Sequence, residues 1–234
     1  MDKTQFELWL KQNYPTVTDG QLAQFEQYKS LLETWNKSIN LMSRADGLDI
    51  YEKHFVDSLL FPLEEARQRG SLIDLGTGAG FPGIPLKIMY PDLTLYLLEP
   101  TSKRTHFLER VVTALGFTKT QVINERAEIY ASFSREMFDI LTARAVAPLN
   151  MLLELGAPLV KLGGLLLAYK GREAEQEAID ASFAAKVLAL QLNGHQIAAL
   201  PHLGHQRHLL VYEKSAKTAL KYPRPFPEIK RKPL

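Results

Sequence analysis

Apolar residues in the first part of the chain recur at steps of three, four and seven positions, which is the spacing of one helix face. Thr18 and Asp19 are favourable helix caps, so the pattern predicts a helix that begins there. A second helical run is predicted from about Asp49 to Arg67. Residues 1–70 are therefore expected to form an N-terminal helical cap with a buried apolar stripe. That stripe consists of Leu22, Phe25, Leu32, Trp35 and Ile39.

After Gly70 the pattern changes to short apolar runs separated by helical ones. Seven candidate strands follow one another at the spacing of βαβ units, which predicts a mostly parallel sheet with helices on both faces. The connection Pro201–Gln206 is too short for a parallel crossover, so the last strand is expected to run antiparallel to its neighbour. The candidate strands are Ser71–Leu75, Thr94–Leu98, Thr120–Ile123, Phe138–Thr142, Leu165–Tyr169, His195–Leu200 and His208–Tyr212.

Three longer helical runs lie between these strands, over Ser102–Leu115, Leu149–Val160 and Arg172–Leu190. The expected fold class is α/β, a Rossmann-like, doubly wound, seven-stranded sheet formed by residues 71–213. A sheet of this kind with a reversed last strand is the layout of class I S-adenosylmethionine-dependent methyltransferases. This likeness is one of fold alone.

Composition places the chain in a soluble class. Its 234 residues are 46% hydrophobic, enough for one large globular domain with an appendage. The absence of cysteine excludes disulfides, a thiol nucleophile and thiolate zinc sites, and is typical of a reducing cytoplasm. The first residues lack the features of a signal peptide, and no run approaches the roughly 20 apolar residues of a membrane span. We therefore expect a cytoplasmic protein with no membrane partner.

Charge is distributed unevenly along the chain. The formal net charge is +2, but the segment from Lys214 to Lys232 has seven basic residues and one acid, Glu228. Residues 214–234 are therefore expected to form a basic C-terminal tail. Such a tail binds polyanions or remains a solvated extension that aids solubility, and charge alone favours neither interpretation.

A glycine-rich loop follows the first predicted strand and reads DLGTGAG from Asp74 to Gly80. Glycines here allow a sharp turn and let the backbone lie directly against a ligand. A dinucleotide-binding loop needs a third glycine where this chain has Phe81, so that pattern fails. We expect Gly76, Gly78 and Gly80 to contact the cofactor, and the Asp74 carboxylate to face its cationic methionine end directly or through water.

Glu99 lies 19 positions after Gly80, at the end of the second predicted strand. The two oxygens of a carboxylate match the vicinal hydroxyls of a ribose, so we expect Glu99 to bind the ribose of an adenosine group. The alternative is a solvated glutamate at a loop end. The register between Glu99 and the glycine loop favours the ribose interpretation.

Further short motifs accompany the glycine loop. They are Asn40-Leu41, His54–Leu59, Asp74–Leu86, Lys103-Arg104, Arg126–Glu128, Ala143–Ala145, Lys170-Gly171 and Tyr222–Arg224. Together they closely resemble the bacterial 16S ribosomal RNA guanine-N7 methyltransferase family, RsmG, also called GidB. The likeness extends from about Trp35 to the last residue, and the loop with its PGIPL continuation is its most specific part.

The resemblance implies S-adenosyl-L-methionine as cofactor and S-adenosyl-L-homocysteine as product. It implies 16S ribosomal RNA or the small ribosomal subunit as the partner. It also implies cofactor contacts at Gly76, Phe81, Ala127, Glu128 and Arg144.

The tail departs from the family's usual form after Arg224. Where relatives tend to have glycine and proline, this chain has Pro225–Ile229 before the basic run Lys230–Lys232. Arg224 itself belongs to the matching motif and is expected to contact the substrate RNA.

Methylation of guanine N7 makes modest chemical demands. N7 has a lone pair in the ring plane and no proton to lose, so the enzyme aligns the reacting atoms and excludes water, and no general base, triad or metal is expected. In A-form RNA N7 lies in a deep, narrow groove, so the target guanine is expected to be unpaired or turned out of its stack. The alternatives are a methyltransferase for another RNA, a protein or a small molecule, and an RNA-binding module without turnover.

Arg144 is the predicted catalytic residue. It follows the fourth predicted strand, which in a doubly wound sheet lies beside the first. A donor on N7 would occupy the attacking lone pair, so Arg144 is assigned to the cofactor carboxylate, to guanine O6 or to a phosphate. The alternative is a structural ion pair with an acid such as Glu154.

Other basic residues follow strand ends at the same edge of the predicted sheet. Their charge is expected to hold RNA phosphates, although a solvated helix start is an equally good interpretation of each. These residues are Lys103, Arg104, Lys170 and Arg172.

The remaining polar candidates are assigned structural roles. Asn40, His54 and Asp57 are expected mainly to fix the helical cap onto the domain. Three histidines fall at three-residue steps across a turn, which favours loop or surface positions over a metal site: His202, His205 and His208. We see no coiled-coil seam and expect a monomer.

Overall fold

The structure, a computed structural model, describes residues 1–42, 49–64 and 67–234. Two helices open the chain, α1 over Lys3–Asn13 and α2 over Asp19–Trp35. The helix start predicted near Thr18 is confirmed: Thr18 is the N-cap of α2, and Gln21 completes a capping box with it.

The long second helix predicted over Asp49–Arg67 is wrong. A π-helical segment, Tyr51–Val56, is followed by a single α-helical turn, α3, over Asp57–Leu59. Pro62 explains the early end, because proline cannot donate a backbone hydrogen bond and disfavours helical geometry in the residue before it. Residues 65 and 66 of the predicted run lie outside the described residues.

The sheet has seven strands in the order β3-β2-β1-β4-β5-β7-β6. Strands β1 to β5 are parallel, whereas β7 lies between β5 and β6 and runs antiparallel to both. The seven-stranded α/β sheet and its reversed last strand are thus confirmed. The strands are β1 Ser71–Leu75, β2 Thr94–Leu98, β3 Thr120–Ile123, β4 Phe138–Arg144, β5 Val160–Lys170, β6 Leu190–Ala199 and β7 Gln206–Lys214.

Strand boundaries agree best where apolar runs are short and well bounded. The predicted bounds of β1, β2 and β3 match those of the structure. Strand β5 begins at Val160, five residues before the predicted start at Leu165. The predicted start was late because Gly163 and Gly164, which lie inside the strand, interrupt its apolar run. Gly163 has a φ of +73°, and a Cβ at Gly164 would lie 2.8 Å from Val160 Cγ1, so glycine is required at this irregular point of the strand.

The helices between the strands are shorter than predicted in two places. The run over Leu149–Val160 ends at Gly156 and continues as a 3₁₀ turn, and the run over Arg172–Leu190 is divided into two short helices. The helices are α4 Gly83–Met89, α5 Ser102–Ala114, α6 Ala127–Phe133, α7 Leu149–Gly156, α8 Ala174–Asp180, α9 Ser182–Val187 and α10 Phe226–Arg231.

The core consists of two apolar clusters, one on each face of the sheet. On the first face, α1, α2 and the π-helical segment pack with α4 and α5. The rings of Phe6, Phe25 and Phe55 are joined there, with centroids 5.1 to 5.6 Å apart. The N-terminal helices therefore share a continuous core with the sheet, and burial of their aromatic stripe fixes the π-helical segment in place.

The basic C-terminal segment is docked rather than loose, which corrects its interpretation as a solvated extension. Lys214 is the last residue of β7 and is 1% exposed, and its ammonium group donates to the Ala157 carbonyl. The Arg135 guanidinium donates to the carbonyls of Thr218 and Tyr222 at 2.8 and 2.7 Å. Ile229 of α10 is fully buried in the second apolar cluster.

No helix in the described parts of the chain combines the length and apolar character needed to cross a membrane.

Candidate active site

The loop after β1 has the backbone geometry of a ligand-binding surface. Gly76, Gly78 and Gly80 have φ values of +64°, +60° and +106°, a region that side chains rarely adopt. A Cβ at Gly80 would lie 2.8 Å from the Tyr28 hydroxyl, so the underside of the loop is tightly packed. A Cβ at Gly78 would meet only the Gly76 carbonyl, at 4.0 Å. The outer face of the loop is thus open for a ligand.

Asp74 lies beneath this loop and supports it. Its carboxylate is fully buried and accepts hydrogen bonds from the Thr77 hydroxyl, from Gly83 N at 2.9 Å and from the Thr142 hydroxyl at 3.0 Å. Burial raises the pKa of Asp74 to about 6, although the three hydrogen bonds oppose the rise. A direct contact with the cofactor is wrong, because Asp74 has no exposed surface and holds the loop and the start of α4. A contact through water stays a prediction.

Glu99 lies at the end of β2, beside the middle glycine of the loop. Its Oε2 accepts from Gly78 N at 3.1 Å, its Oε1 accepts from Thr101 N at 3.0 Å, and Arg104 Nη1 lies 3.8 Å from Oε1. The residue is only 2% exposed, so the alternative of a solvated glutamate is wrong. Each carboxylate oxygen retains a lone pair with which to accept from a ribose hydroxyl.

Ala127 and Glu128 form the first turn of α6, directly after the end of β3. The Glu128 carboxylate lies 3.6 Å from Arg126 Nη1. Asn124 donates from Nδ2 to the Glu99 carbonyl at 3.1 Å and so connects the ends of β3 and β2. Apart from Arg144, the predicted cofactor residues therefore lie at the carboxyl ends of β1, β2 and β3, which we call the cofactor arc.

Arg144 ends β4 on the other side of β1 and is held by the π-helical segment. Its Nη1 donates to Asp57 Oδ2 at 3.0 Å and to the Lys53 carbonyl at 3.2 Å, and its Nη2 lies 3.0 Å from His54 Nδ1. The predicted alternative partner, Glu154, does not contact it; the acid that pairs with Arg144 is Asp57.

Phe81 joins Arg144 to the glycine loop. Its ring stacks on His54 with a centroid distance of 4.6 Å and an angle of 14°, and the Arg144 guanidinium carbon lies 5.0 Å from its centroid. His54 and Asp57 thus fix the helical cap to the domain by contacting site residues. His54 and Asp57 are three residues apart on a helical segment, a spacing that places both side chains on one face, and both contact Arg144.

Arg207 is a site residue that the sequence analysis missed. It lies near the start of β7, and its Nε donates to Asp57 Oδ1 at 2.8 Å. The Asp57 carboxylate is 7% exposed and bridges Arg207 and Arg144. One feature of the sequence could have indicated Arg207: it is a basic residue at the start of an apolar strand. That start lies at the same edge of the sheet as Lys170, one of the other basic candidates.

A cavity of about 900 Å³ lies beside the carboxyl ends of β4 and β5. Its wall includes Ala145, which has a φ of +57°, and Val146, which packs against the inner side of Gly76. The cavity and the glycine loop are therefore neighbours, with Arg144 between them. Its polar lining comprises Lys53, His54, Asp57, Arg144, Lys170, Glu173, Glu177, His205 and Arg207.

The four predicted rim residues have different surroundings. Lys103 and Arg172 are exposed. Arg104 lies beside Glu99 and donates to the Asn40 carbonyl at 3.5 Å, so it connects the helical cap to the cofactor arc.

Lys170 is not a solvated residue at a helix start, and its expected contact with an RNA phosphate stays a prediction. Its side chain is 10% exposed and donates to Glu177 Oε2 at 2.7 Å and to the Ala147 carbonyl at 3.0 Å. Its charge is used inside the protein.

Arg224 also has an internal partner, which corrects its expected role as an RNA contact. Its Nε and Nη2 donate to the two oxygens of Glu154 at 2.7 and 2.6 Å, and its backbone N donates to the same carboxylate. Glu154 is fully buried. This bidentate ion pair anchors the C-terminal segment to α7.

One of the three histidines predicted on loops or the surface is buried. His208 lies inside β7, and its Nδ1 is 2.7 Å from His195 Nε2. Burial and the neighbouring His195 lower the pKa of His208. His202 and His205 are exposed, as predicted. Within the described ranges no three acidic or histidine side chains gather in a geometry that would hold a metal.

Solved structures with the same fold include an AdoMet-bound protein and a 16S rRNA methyltransferase. An M. jannaschii TYW2 in complex with AdoMet superposes with a TM-score of 0.58 at 14% identity, covering 76% of this chain and 80% of that one. A mutant of the 16S rRNA (adenine(1408)-N(1))-methyltransferase from Catenulisporales acidiphilia gives 0.52 at 15% identity, covering 66% and 89%. At these identities the likeness shows the fold, and it confirms the class I methyltransferase architecture.

Sequence relatives are much closer. The protein named ribosomal RNA small subunit methyltransferase G from Leuconostoc mesenteroides is 41% identical over 224 residues, covering 94% of this chain and 93% of the relative. Its namesake from Staphylococcus epidermidis is 41% identical over 210 residues, covering 89% and 88%. The family model GidB, rRNA small subunit methyltransferase G, matches residues 21–210. The resemblance found in the sequence is thus confirmed, and the chain belongs to the rRNA small subunit methyltransferase G family.

Proposed function

We propose that the protein transfers the methyl group of S-adenosyl-L-methionine to N7 of a guanine in 16S ribosomal RNA. The observation that carries this proposal is the arrangement around Arg144. An open glycine loop with the Glu99 carboxylate lies on one side of Arg144, and a cavity of about 900 Å³ lies on the other. A donor site and an acceptor site adjoin at a single side chain.

The arc across β1 to β3 fits the proposed cofactor. The space above Gly78 admits a ligand where a Cβ would stand, and the two Glu99 oxygens suit the hydroxyls of a ribose. Phe81 after the glycine loop and Ala127 and Glu128 in the first turn of α6 are the further residues that we expect to contact the cofactor. S-adenosyl-L-methionine bound there supplies an electrophilic methyl carbon on a sulfonium, and S-adenosyl-L-homocysteine is the product.

The residues of this chain provide alignment rather than proton transfer. The guanine N7 lone pair attacks without losing a proton, so the described site needs no general base. Arg144 uses three of the five N–H groups of a guanidinium on Asp57, Lys53 and His54. Two N–H groups remain to bind guanine O6, a phosphate or the cofactor carboxylate, and the fixed guanidinium orients whichever it binds.

The cavity accepts a base only after that base has left its helix. A guanine within A-form RNA exposes N7 in a groove too narrow for a protein wall, so an unpaired or splayed guanine is the substrate. The monomer expected from the sequence stays a prediction. We place the reaction in the cytoplasm, where bacterial ribosomal subunits are assembled.

The test uses small ribosomal subunits from a strain that lacks this protein. The purified protein and a donor with a labelled methyl group are added, and the label is mapped on the RNA by nuclease digestion and mass spectrometry. The proposal predicts one labelled 7-methylguanine in 16S RNA and no label with the Arg144→Ala variant. Label on an adenine, on protein or on no acceptor at all would overturn it.

A further inference from the structure

We propose that Arg207 binds a backbone phosphate of the RNA beside the target guanine, as a second guanidinium of the substrate cavity. The inference rests on the proposed function and adds a residue and a ligand group to it. It starts from the position of Arg207 in the sheet. Arg207 immediately precedes His208, whose β5 partner is Lys170, so it lies at the carboxyl end of β5. It is one of the residues that line the cavity.

The hydrogen bonds of Arg207 hold it in place and leave donors available. Its Nε donates to Asp57 at 2.8 Å and its Nη1 donates to the Gln206 carbonyl at 3.2 Å. Three of the five N–H groups of the guanidinium therefore remain for a ligand. The side chain is 26% exposed, so a ligand in the cavity can reach it. A guanidinium held at one edge is preorganised for two parallel hydrogen bonds to a phosphate.

The charge balance of the cavity favours an anion. Asp57 is a single carboxylate shared by two guanidiniums, so the group formed by Arg144, Asp57 and Arg207 has an excess positive charge. Of the other charged residues in the lining, Lys170 is matched by Glu177, and Lys53 and Glu173 have opposite charges, so the excess of one positive charge remains. A neutral base offers nothing to balance the excess charge, whereas a phosphodiester has one negative charge.

The size of the cavity agrees with this assignment. A volume of about 900 Å³ is at the upper end of the roughly 300 to 1,000 Å³ of ordinary ligand pockets. It has room for a nucleobase together with its sugar and a backbone phosphate. Arg144 lies next to the glycine loop and Arg207 at the β7 side of Asp57, so the base and its phosphate would bind neighbouring guanidiniums on the two sides of that carboxylate.

A competing explanation is that Arg207 acts only through Asp57, as a positioning residue for Arg144. Three variants separate the two: Arg207→Gln, Arg207→Lys and Asp57→Asn. Lys186→Gln is a matched loss of one charge, because Lys186 is exposed in the last turn of α9, before β6 begins at the opposite end of the sheet. Thermal melting of each variant first establishes that it is folded.

The measurements are the affinity for protein-free 16S RNA at several salt concentrations, the kcat and KM for methyl transfer, and the affinity for S-adenosyl-L-homocysteine. We expect Arg207→Gln to raise KM for RNA about tenfold, to leave kcat within about threefold, and to lower the slope of log affinity against log salt by about 0.7 to 0.9. Arg207→Lys retains the salt slope. Lys186→Gln leaves the RNA affinity, the salt slope, kcat and KM unchanged. The affinity of Arg207→Gln for S-adenosyl-L-homocysteine equals that of the wild type.

The proposal is overturned if Arg207→Gln reproduces Asp57→Asn, with lower kcat and an unchanged salt slope, or if it has no effect on RNA binding. Failure of the proposed function has a different signature. In that case the wild type would not methylate a guanine at N7, while the RNA-binding measurements, which need no methyl transfer, would still decide the role of Arg207.

Discussion

Asp57 accepts a hydrogen bond from Arg144 across 87 residues of sequence, at 3.0 Å, and this contact places the N-terminal helical region inside the catalytic site. Asp57 lies on the single turn α3, and Arg144 is the last residue of β4. Because both side chains are nearly buried, the ion pair orders the guanidinium in one position. The helical cap is therefore part of the candidate site, and under the proposed function it helps to align the substrate.

We expect Asp57→Asn to reduce kcat by up to about 10²-fold, since small displacements of an aligning group have effects of that order. The variant keeps the size of the side chain but removes the charge that holds both Arg144 and Arg207. Single-turnover methylation of small-subunit RNA at saturating donor measures the effect. Asp92→Asn is the control, because Asp92 is exposed and pairs with the exposed Arg69 at 3.7 Å. Equal rates for the two variants would show that Asp57 does not align the site.

The ion pair between Arg224 and Glu154 predicts a stability effect. Removing the guanidinium by Arg224→Ala leaves a fully buried carboxylate without its partner, which destabilises proteins by about 3 to 5 kcal/mol. Replacing both partners, as Arg224→Met with Glu154→Leu, removes the charge and its penalty together. Urea unfolding is expected to show a large loss for the single variant and a much smaller one for the double variant. A loss below about 1 kcal/mol for Arg224→Ala would mean that the tail is not anchored there.

Burial of Asp74 predicts a pH dependence of stability. Its pKa is about 6 in the folded protein against an ordinary value of 3.8, so between these values the folded state binds more protons than the unfolded state. Stability therefore falls as pH rises through this range, by about 2 kcal/mol between pH 4 and 6, and the loss for this group reaches about 3 kcal/mol well above pH 6.

The Asp74→Asn variant isolates that effect, because it lacks the titrating group while all other groups remain. Its altered hydrogen bonds add an offset that does not vary with pH. We expect the unfolding free energy of the wild type to fall relative to that of the variant as pH rises from 4 to 6. A constant difference across that range would show that Asp74 titrates normally.

Local pattern predicted much of this fold and of the cofactor arc. Strands β1 to β3 are short apolar runs bounded by turn residues, and the register between Gly80 and Glu99 follows from the length of one βαβ unit. The glycine loop and Glu99 lie within one such unit, so their proximity is a local property of the sequence.

Charged residues whose partners are distant in the chain were the least predictable from the sequence. Arg224 and Glu154 are 70 residues apart, and no periodicity in the sequence brings them together. Arg207 and Asp57 are 150 residues apart and meet only because β7 is inserted between β5 and β6. Local charge patterns indicate that a residue is basic, whereas tertiary packing decides whether it faces RNA or a buried acid.

The basic end of the tail predicts a contribution to RNA binding. Phe226 lies 5.6 Å from the Arg126 guanidinium, and the Leu234 carbonyl accepts from Asn150 Nδ2 at 3.3 Å. Both contacts place α10 at the starts of α6 and α7, the edge that holds the cofactor arc. The exposed residues concerned are Lys230, Arg231 and Lys232.

Neutralising these three residues to Gln is expected to lower the salt slope of RNA affinity by about 2, because each lost single-strand phosphate contact removes about 0.7. This design is preferable to truncation, which would remove the buried Ile229 and so unfold the docked segment. Affinity is measured by filter binding between low and moderate salt. An unchanged slope would assign the tail to stability alone.

Gly78 offers the sharpest test of the cofactor site. Its φ is +60°, and an added Cβ would meet no protein side chain, so Gly78→Ala places a methyl group in the space assigned to the ligand. The left-handed backbone costs about 1 kcal/mol of stability. Gly116→Ala is the matched control, because Gly116 has a φ of +65°, has nothing within 4 Å of an added Cβ, and lies after α5 away from the loop. Both variants should lose similar stability in urea, while calorimetry should show at least a tenfold weaker affinity for S-adenosyl-L-homocysteine in Gly78→Ala alone. Equal affinities in the two variants would remove the glycine loop from the cofactor site, and with it the alignment of donor and acceptor around Arg144.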